Sequence, residues 1–227
     1  MKVVSLLSGG IDSCTTASKL AIDGFDVFPL FVDYGQRTVQ REIRAVEDYV
    51  SDVHARIEKM HTLSTANVSM PFLRSSLVGT VDVEKSTQDD FGTMDSKKVD
   101  WVPARNIILI TLAASYCETV GARKISIGAY REDEMPPYPD SSREFFDVMQ
   151  QALTSGMYGD AFEIVTPFID SFKWNLLTYS RDMNLPTHLT WSCYENLQSH
   201  CGYCRNCVDR KKAFDKAGIK DPTIYCG

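Results

Sequence analysis

The chain has 227 residues, 44% hydrophobic and 24% charged, a balance that excludes collagenous, coiled-coil and disordered classes and leaves room for one well-cored domain, with or without an appendage. Its 24 Lys and Arg against 30 Asp and Glu give a net charge of −6, which argues against a nucleic acid as the main partner. No apolar run approaches the roughly 20 residues that span a bilayer and no signal peptide opens the chain, so a cytoplasmic protein without membrane contact is expected.

Lys2 to Leu7 is a short apolar run that ends in Ser8-Gly9-Gly10, and from Asp12 to Ala21 small and apolar residues recur at helical spacing. That order reads as strand, glycine turn, helix. Val27 to Val32 is a second continuous apolar run, as expected of a strand covered on both faces. From Gln36 to Val53, Val39, Ile43, Val46, Tyr49, Val50 and Val53 fall three and four apart, which predicts an amphipathic helix. Ala55 to Met60 is expected as a third strand. The stretch from Thr62 to Asp100 has weak periodicity, many Ser and Thr and a charged segment at 84–90, and is read as an insertion or lid. Ala104 to Val120 predicts an apolar helix between Pro103 and Gly121. Lys124 to Gly128 follows as a strand, then helices at Asp140 to Leu153 and Ser171 to Met183. Alternating strands and helices imply an open parallel α/β sheet with ligands at the carboxyl ends of its strands.

The turn Ser8-Gly9-Gly10-Ile11-Asp12-Ser13 lies where unpaired backbone N–H groups and the positive end of a helix dipole converge, which suits an anion. Two glycines let the backbone approach phosphate oxygens, and Ser8 and Ser13 add hydroxyl donors. Four of the seven Cys fall within 15 positions as Cys193-x7-Cys201-x2-Cys204-x2-Cys207. Such spacing suits one tetrahedral ion, with zinc the expected occupant and an iron–sulfur cluster the alternative. Four ligands leave no open position, so the site is expected to be structural and to pin a C-terminal helix from Asn206 to Ala217. His200 is placed outside the ligand set, and Cys14 and Cys117 are expected in the core.

The hexamer at 8–13 resembles the pyrophosphate loop, SGG-[IL]-D-S, of the N-type ATP pyrophosphatases. Further blocks resemble one branch of that superfamily, the 7-cyano-7-deazaguanine synthase family, in family order along nearly the whole chain. They are Leu7 to Ser13, Asp33-Tyr34-Gly35-Gln36-Arg37, Val102-Pro103-Ala104-Arg105-Asn106, Tyr138-Pro139-Asp140, Thr166 to Asp170, and Leu189-Thr190-Trp191-Ser192-Cys193-Tyr194 with Cys201-Gly-x-Cys204-x-x-Cys207. The family commonly continues its Tyr-Pro-Asp with Cys and then Arg-Pro-Glu-Phe, where this chain has Ser141-Ser142-Arg143-Glu144-Phe145.

The resemblance implies a fold of the adenine nucleotide alpha hydrolase-like (HUP) type over residues 1–187 and a small zinc-bound helical module over 188–227. It also implies that ATP is cleaved between its α and β phosphates, with Asp12 tied to Mg²⁺. The substrates would be 7-carboxy-7-deazaguanine and ammonia and the product the nitrile, made through an adenylated carboxylate and an adenylated amide. ATP would be held by Leu7, Ser8, Gly9, Gly10, Ile11, Asp12, Ser13, Cys14, Tyr34 and Gln36. Asp12, Ser13 and Arg105 are the expected catalytic residues, and Arg105, Asn106, Tyr138, Pro139 and Asp140 the substrate contacts. Arg105 would counter phosphate or carboxylate charge; Asp140 is either an acceptor for the guanine-like edge or a helix cap. Lys173 is a possible phosphate contact, and related enzymes form homodimers. Three rivals are a sister enzyme of antiviral or modification gene clusters that passes the deazapurine acyl group to another amine, such as one on a protein; a zinc-dependent nucleic-acid-binding module with a vestigial ATP fold, against which the acidic balance weighs; and a tRNA-thiolating ligase.

Overall fold

The computed structural model describes residues 1–79, 81–83, 85, 100–131 and 138–226. Five parallel strands, β1 (Lys2–Leu6), β2 (Asp26–Asp33), β3 (Ser64–Asn67), β4 (Lys124–Ser126) and β5 (Glu163–Val165), form one sheet in the order β3-β2-β1-β4-β5. β1 (Lys2–Leu6) takes the centre because its residues pack on both faces: Val4 and Leu6 on one side, Val3 on the other. β2 (Asp26–Asp33) pairs with it in register Lys2↔Asp26 to Leu6↔Leu30, and β4 (Lys124–Ser126) on the other edge in register Val3↔Lys124 to Ser5↔Ser126.

The helices divide between the faces. α1 (Ile11–Ile22) and α2 (Val39–Arg56) bury Leu20, Val46, Tyr49 and Val53 against Val3, Val27 and Phe31. α3 (Arg105–Val120) and α4 (Arg143–Gly156) bury Ile110, Ala113, Ala114, Phe146 and Leu153 against Val4, Leu30 and Ile125. α5 (Lys173–Asp182) and α6 (Arg205–Ala217) join the α1 side through a cluster of Ile11, Leu177, Ala213 and Phe214. No helix among the described residues is long and apolar enough to cross a membrane.

Several boundaries differ from expectation for physical reasons. Ala55–Met60 is not a strand: α2 runs on to Arg56, with His54 and Arg56 in its last turn, and only Met60 bridges to Val27. The edge strand β3 (Ser64–Asn67) falls instead inside the expected insertion; its sequence Ser-Thr-Ala-Asn is half exposed and carries no apolar signal. β5 (Glu163–Val165), also unforeseen, is a three-residue edge. α4 begins at Arg143 because Ser142, not Asp140, caps it by accepting from Phe145 N at 3.2 Å; Pro139–Ser141 is a separate turn. Much of the expected lid, 86–99, lies outside the described residues.

Candidate active site

β2 and β3 lie to one side of β1, and β4 and β5 to the other, so the chain reverses direction across the sheet between β1 and β4. Crevices form outside the carboxyl ends of strands at such a point. A cavity of about 300 Å³ lies there, lined by residues that follow β1, β2 and β4 and by α3, α5 and the cysteine region.

Its floor is the glycine turn. Gly9 has φ +78°, and a Cβ there would lie 2.9 Å from the Glu42 carbonyl oxygen, so no other residue fits without moving α2. Gly128, after β4, is equally constrained: a Cβ would lie 2.5 Å from Ser13 N. Ser8 N donates to Ser13 Oγ at 3.1 Å, and Ser13 Oγ donates to the Gly10 carbonyl at 3.3 Å, closing the turn on itself. Trp191 N donates to the Gly9 carbonyl at 2.8 Å. Leu7, Ser8, Gly10, Asp12 and Ser13 face the cavity. Ile11 and Cys14 face away into the core, where burial pushes the Cys14 thiol up to about 12. Gly9 is not on the cavity wall.

Asp12 stands in the first turn of α1, whose N-cap is Gly10. Lys173 Nζ lies 3.2 Å from Asp12 Oδ2 and donates to Asp209 Oδ2 at 2.7 Å. Burial opposes the Lys173 charge, but the two carboxylates overcome it and hold the ammonium well above its ordinary pKa. Asp12 shares that one ammonium, so burial wins and its carboxyl is raised above the usual aspartate value, helped by repulsion from Asp209. Asp12 Oδ1 is buried with no hydrogen-bond partner among the described residues. A buried acceptor left bare costs about 1–3 kcal/mol, and a carboxylate oxygen beside loop amides suits a hard cation bound with phosphates. These residues therefore fit Mg²⁺ carried by a nucleotide.

The cavity is also lined by Arg105, Asn106 and Tyr138. Arg105 hydrogen-bonds Tyr34; burial disfavours its charge, but Tyr34 and Asp140 hold it above the ordinary guanidinium value. Asn106 Nδ2 donates to the Asp140 carbonyl at 2.8 Å and to Ser141 Oγ at 3.2 Å, fastening α3 to the 139–141 turn. Tyr138 lines the cavity and stacks on Trp101 at 5.9 Å. Asp140, buried behind them, accepts from Asn106 N at 3.4 Å; neither it nor Pro139 reaches the wall. On the β2 side Gln36 accepts from Tyr34 N at 2.9 Å and donates to Glu42 Oε2 at 3.1 Å, so it shapes the turn as well as the wall.

Sequence reasoning missed Glu42, Trp191, Tyr194 and Tyr130 on this wall, and Asp209 behind it. Glu42 had a readable signal, since it lies three residues after Val39 and four before Val46, on the apolar face of its helix. Burial raises its pKa despite donation from Thr38 Oγ1 at 2.5 Å and Gln36.

Beside the cavity, Cys193, Cys201, Cys204 and Cys207 are all buried, with their sulfurs within 4.8 Å of one another. A tetrahedral ion with metal–sulfur bonds of about 2.3 Å requires sulfurs about 3.8 Å apart, and Cys201 and Cys207 stand at 3.9 Å. Backbone N–H groups of Glu195 and Cys201 point at Cys193 Sγ at 3.3 Å, and that of Cys204 at Cys201 Sγ at 3.2 Å. Donors aimed at sulfur favour thiolates, the form a metal binds. The four thiols thus fit zinc. His200 Nε2 instead accepts from Ser192 N at 3.1 Å.

Comparison with known proteins follows the same lines. A family model described as Queuosine biosynthesis protein QueC matches residues 2–218. The 7-cyano-7-deazaguanine synthase of Nautilia profundicola is 34% identical over 99% of this chain and 98% of its own length. That of Acetivibrio thermocellus is 35% identical over 99% of this chain and 97% of its own. Among solved structures, a 4-thiouridine synthetase in complex with RNA and ATP superposes with a TM-score of 0.53 at 16% identity, over 96% of this chain and 50% of that one; that likeness shows a shared fold.

Proposed function

The chain belongs to the QueC family of queuosine biosynthesis proteins, and from that membership we propose that it is an ATP-dependent C–N ligase converting 7-carboxy-7-deazaguanine and ammonia to 7-cyano-7-deazaguanine. The observation that carries this reading is one cavity lined both by the glycine turn with Asp12 and by Arg105, Asn106 and Tyr138: donors for phosphates and groups for a flat, acid-bearing ring share one space.

A carboxylate resists ammonia because its carbonyl carbon is electron-rich and oxide is a poor leaving group. Transfer of AMP from ATP to the carboxylate oxygen expels pyrophosphate and creates a good leaving group. Ammonia then displaces AMP to give the amide, a second AMP transfer to the amide oxygen follows, and its loss leaves the nitrile. One acid, one ammonia and two ATP become one nitrile, two AMP and two pyrophosphates. Loop amides and the hydroxyls of Ser8 and Ser13 stabilise charge building on pyrophosphate. Mg²⁺, held through Asp12, neutralises the same charge when bound. Lys173 lies within reach of the phosphates, while Arg105 aligns the acid with the α-phosphorus. Tyr34 and Gln36 border the adenine side. Gly9, Ile11 and Cys14 support the turn from behind; Pro139 and Asp140 set the substrate wall through Asn106.

The cysteine site is assigned to structural zinc. Residues 1–187 form the nucleotide-binding unit and 188–227 the zinc module, in a cytoplasmic homodimer. Incubation with ATP, Mg²⁺, the acid and ammonium, resolved by mass, is expected to yield AMP, pyrophosphate and nitrile. Accumulating ADP contradicts the reading. An amide conjugate that forms only when a protein amine is supplied identifies the acyl-transferring sister enzyme instead.

A further inference from the structure

Arg210 on α6 has no solvent exposure, and burying a guanidinium is costly enough that an apolar side chain of similar size often stabilises a fold better. Its partners show what the charge achieves. It donates to Thr190 Oγ1 at 2.8 Å, Ser192 Oγ at 3.1 Å and the Thr187 carbonyl at 3.2 Å, and meets Asp221 Oδ1 at 3.4 Å. Three of these four contacts pin one segment, 187–192, whose next residue is the thiol Cys193. Trp191, between two pinned residues, sends its backbone N–H to the Gly9 carbonyl at 2.8 Å.

No described peptide bond is cis, and in a trans peptide the carbonyl and the following N–H point in opposite directions. Trp191 therefore aims the Gly10 N–H away from itself, toward Ser8 Oγ at 3.5 Å on the cavity floor. We propose that Arg210 is a positioning residue for the nucleotide: by fixing segment 187–192 it holds the Gly9–Gly10 peptide with its N–H toward the phosphates, and so couples the cysteine site to nucleotide affinity. The proposal rests on the cavity being a nucleotide site. Coupling between two sites is reciprocal, so nucleotide must in turn tighten the hold on zinc.

The test uses the zinc-loaded, full-length protein with Arg210→Lys and the milder Thr190→Val, which leaves the guanidinium in place. Calorimetry measures binding of MgATP without acid, and of 7-carboxy-7-deazaguanine without ATP. A colorimetric chelator follows zinc release with and without MgATP. Both variants are expected to weaken MgATP binding, Arg210→Lys by roughly tenfold, inside the usual range for coupled sites, and to leave acid binding unchanged. MgATP slows zinc release from the wild type, and the variants lose that protection. A folded, zinc-loaded Thr190→Val protein that binds MgATP as the wild type does, or acid and MgATP affinities that fall together, overturns the positioning role and leaves Arg210 a brace for folding. A wild type that binds no MgATP overturns the nucleotide reading beneath it.

Discussion

The cavity floor and the cysteine module meet at Trp191 yet treat buried polar atoms in opposite ways. In the module, sulfurs receive backbone N–H groups and Arg210 has four partners. On the floor, Asp12 Oδ1 has no hydrogen-bond partner among the described residues and one ammonium serves two carboxylates. Satisfied groups stabilise a fold, whereas bare ones cost stability and persist where a ligand completes them. On the proposed function, the difference separates residues that hold this protein together from residues that wait for substrate.

Breaking the satisfied side has the largest expected effect on stability. Cys204→Ser removes one of four thiols, and the protein is expected to lose bound zinc and several kcal/mol of stability, read as metal content and melting temperature. If both are unchanged, the module's apolar contacts suffice and the contrast fails. Asp12→Asn probes the other side: kcat/KM is expected to fall by about 10²–10³-fold, with a melting temperature equal to or above that of the wild type because a costly buried charge is gone. A clear loss of stability places Asp12 among the structural residues instead.

Acidity sharpens the comparison further. Burial, then Asp209, raises the Asp12 carboxyl, while Lys173 lowers it. The Asp12 carboxylate is thus lost, as pH falls, at a higher pH than an ordinary aspartate's, and the acid limb of kcat/KM for MgATP follows. Asp209→Asn removes a repelling charge and the competitor for Lys173, so the limb moves to lower pH; a limb that stays or rises contradicts the shared-ammonium account. The smallest effect is expected of Cys14→Ala. Its thiol faces the core and is raised to about 12, so thiolate chemistry at neutral pH is closed to it, and turnover is expected to change little. Abolished turnover revives the thiolating alternative.

Much of this architecture was legible because its signals are dense. The apolar runs at 2–7 and 27–32 have no other use than a doubly covered sheet, and the Cys spacing has few geometries open to it. What escaped was set by tertiary context. Ser64–Asn67 is a strand because β2 offers it an edge, and Asp140 is buried in a short turn of its own, ahead of the helix that Ser142 caps. Lys173, which in sequence is one solvated lysine among many, is buried between two acids that lie 161 and 36 positions away along the chain.

The close approach at Gly128 carries an evolutionary consequence. With Ser13 N only 2.5 Å from where a methyl group would stand, the end of β4 and the start of α1 form a wall one hydrogen thick. Natural variation can remodel the rim of the pocket, yet it cannot add bulk at this seam without tilting α1 and dragging the anion-facing turn with it. Substitutions at this seam are therefore expected to be far more tightly bounded than those at the exposed rim.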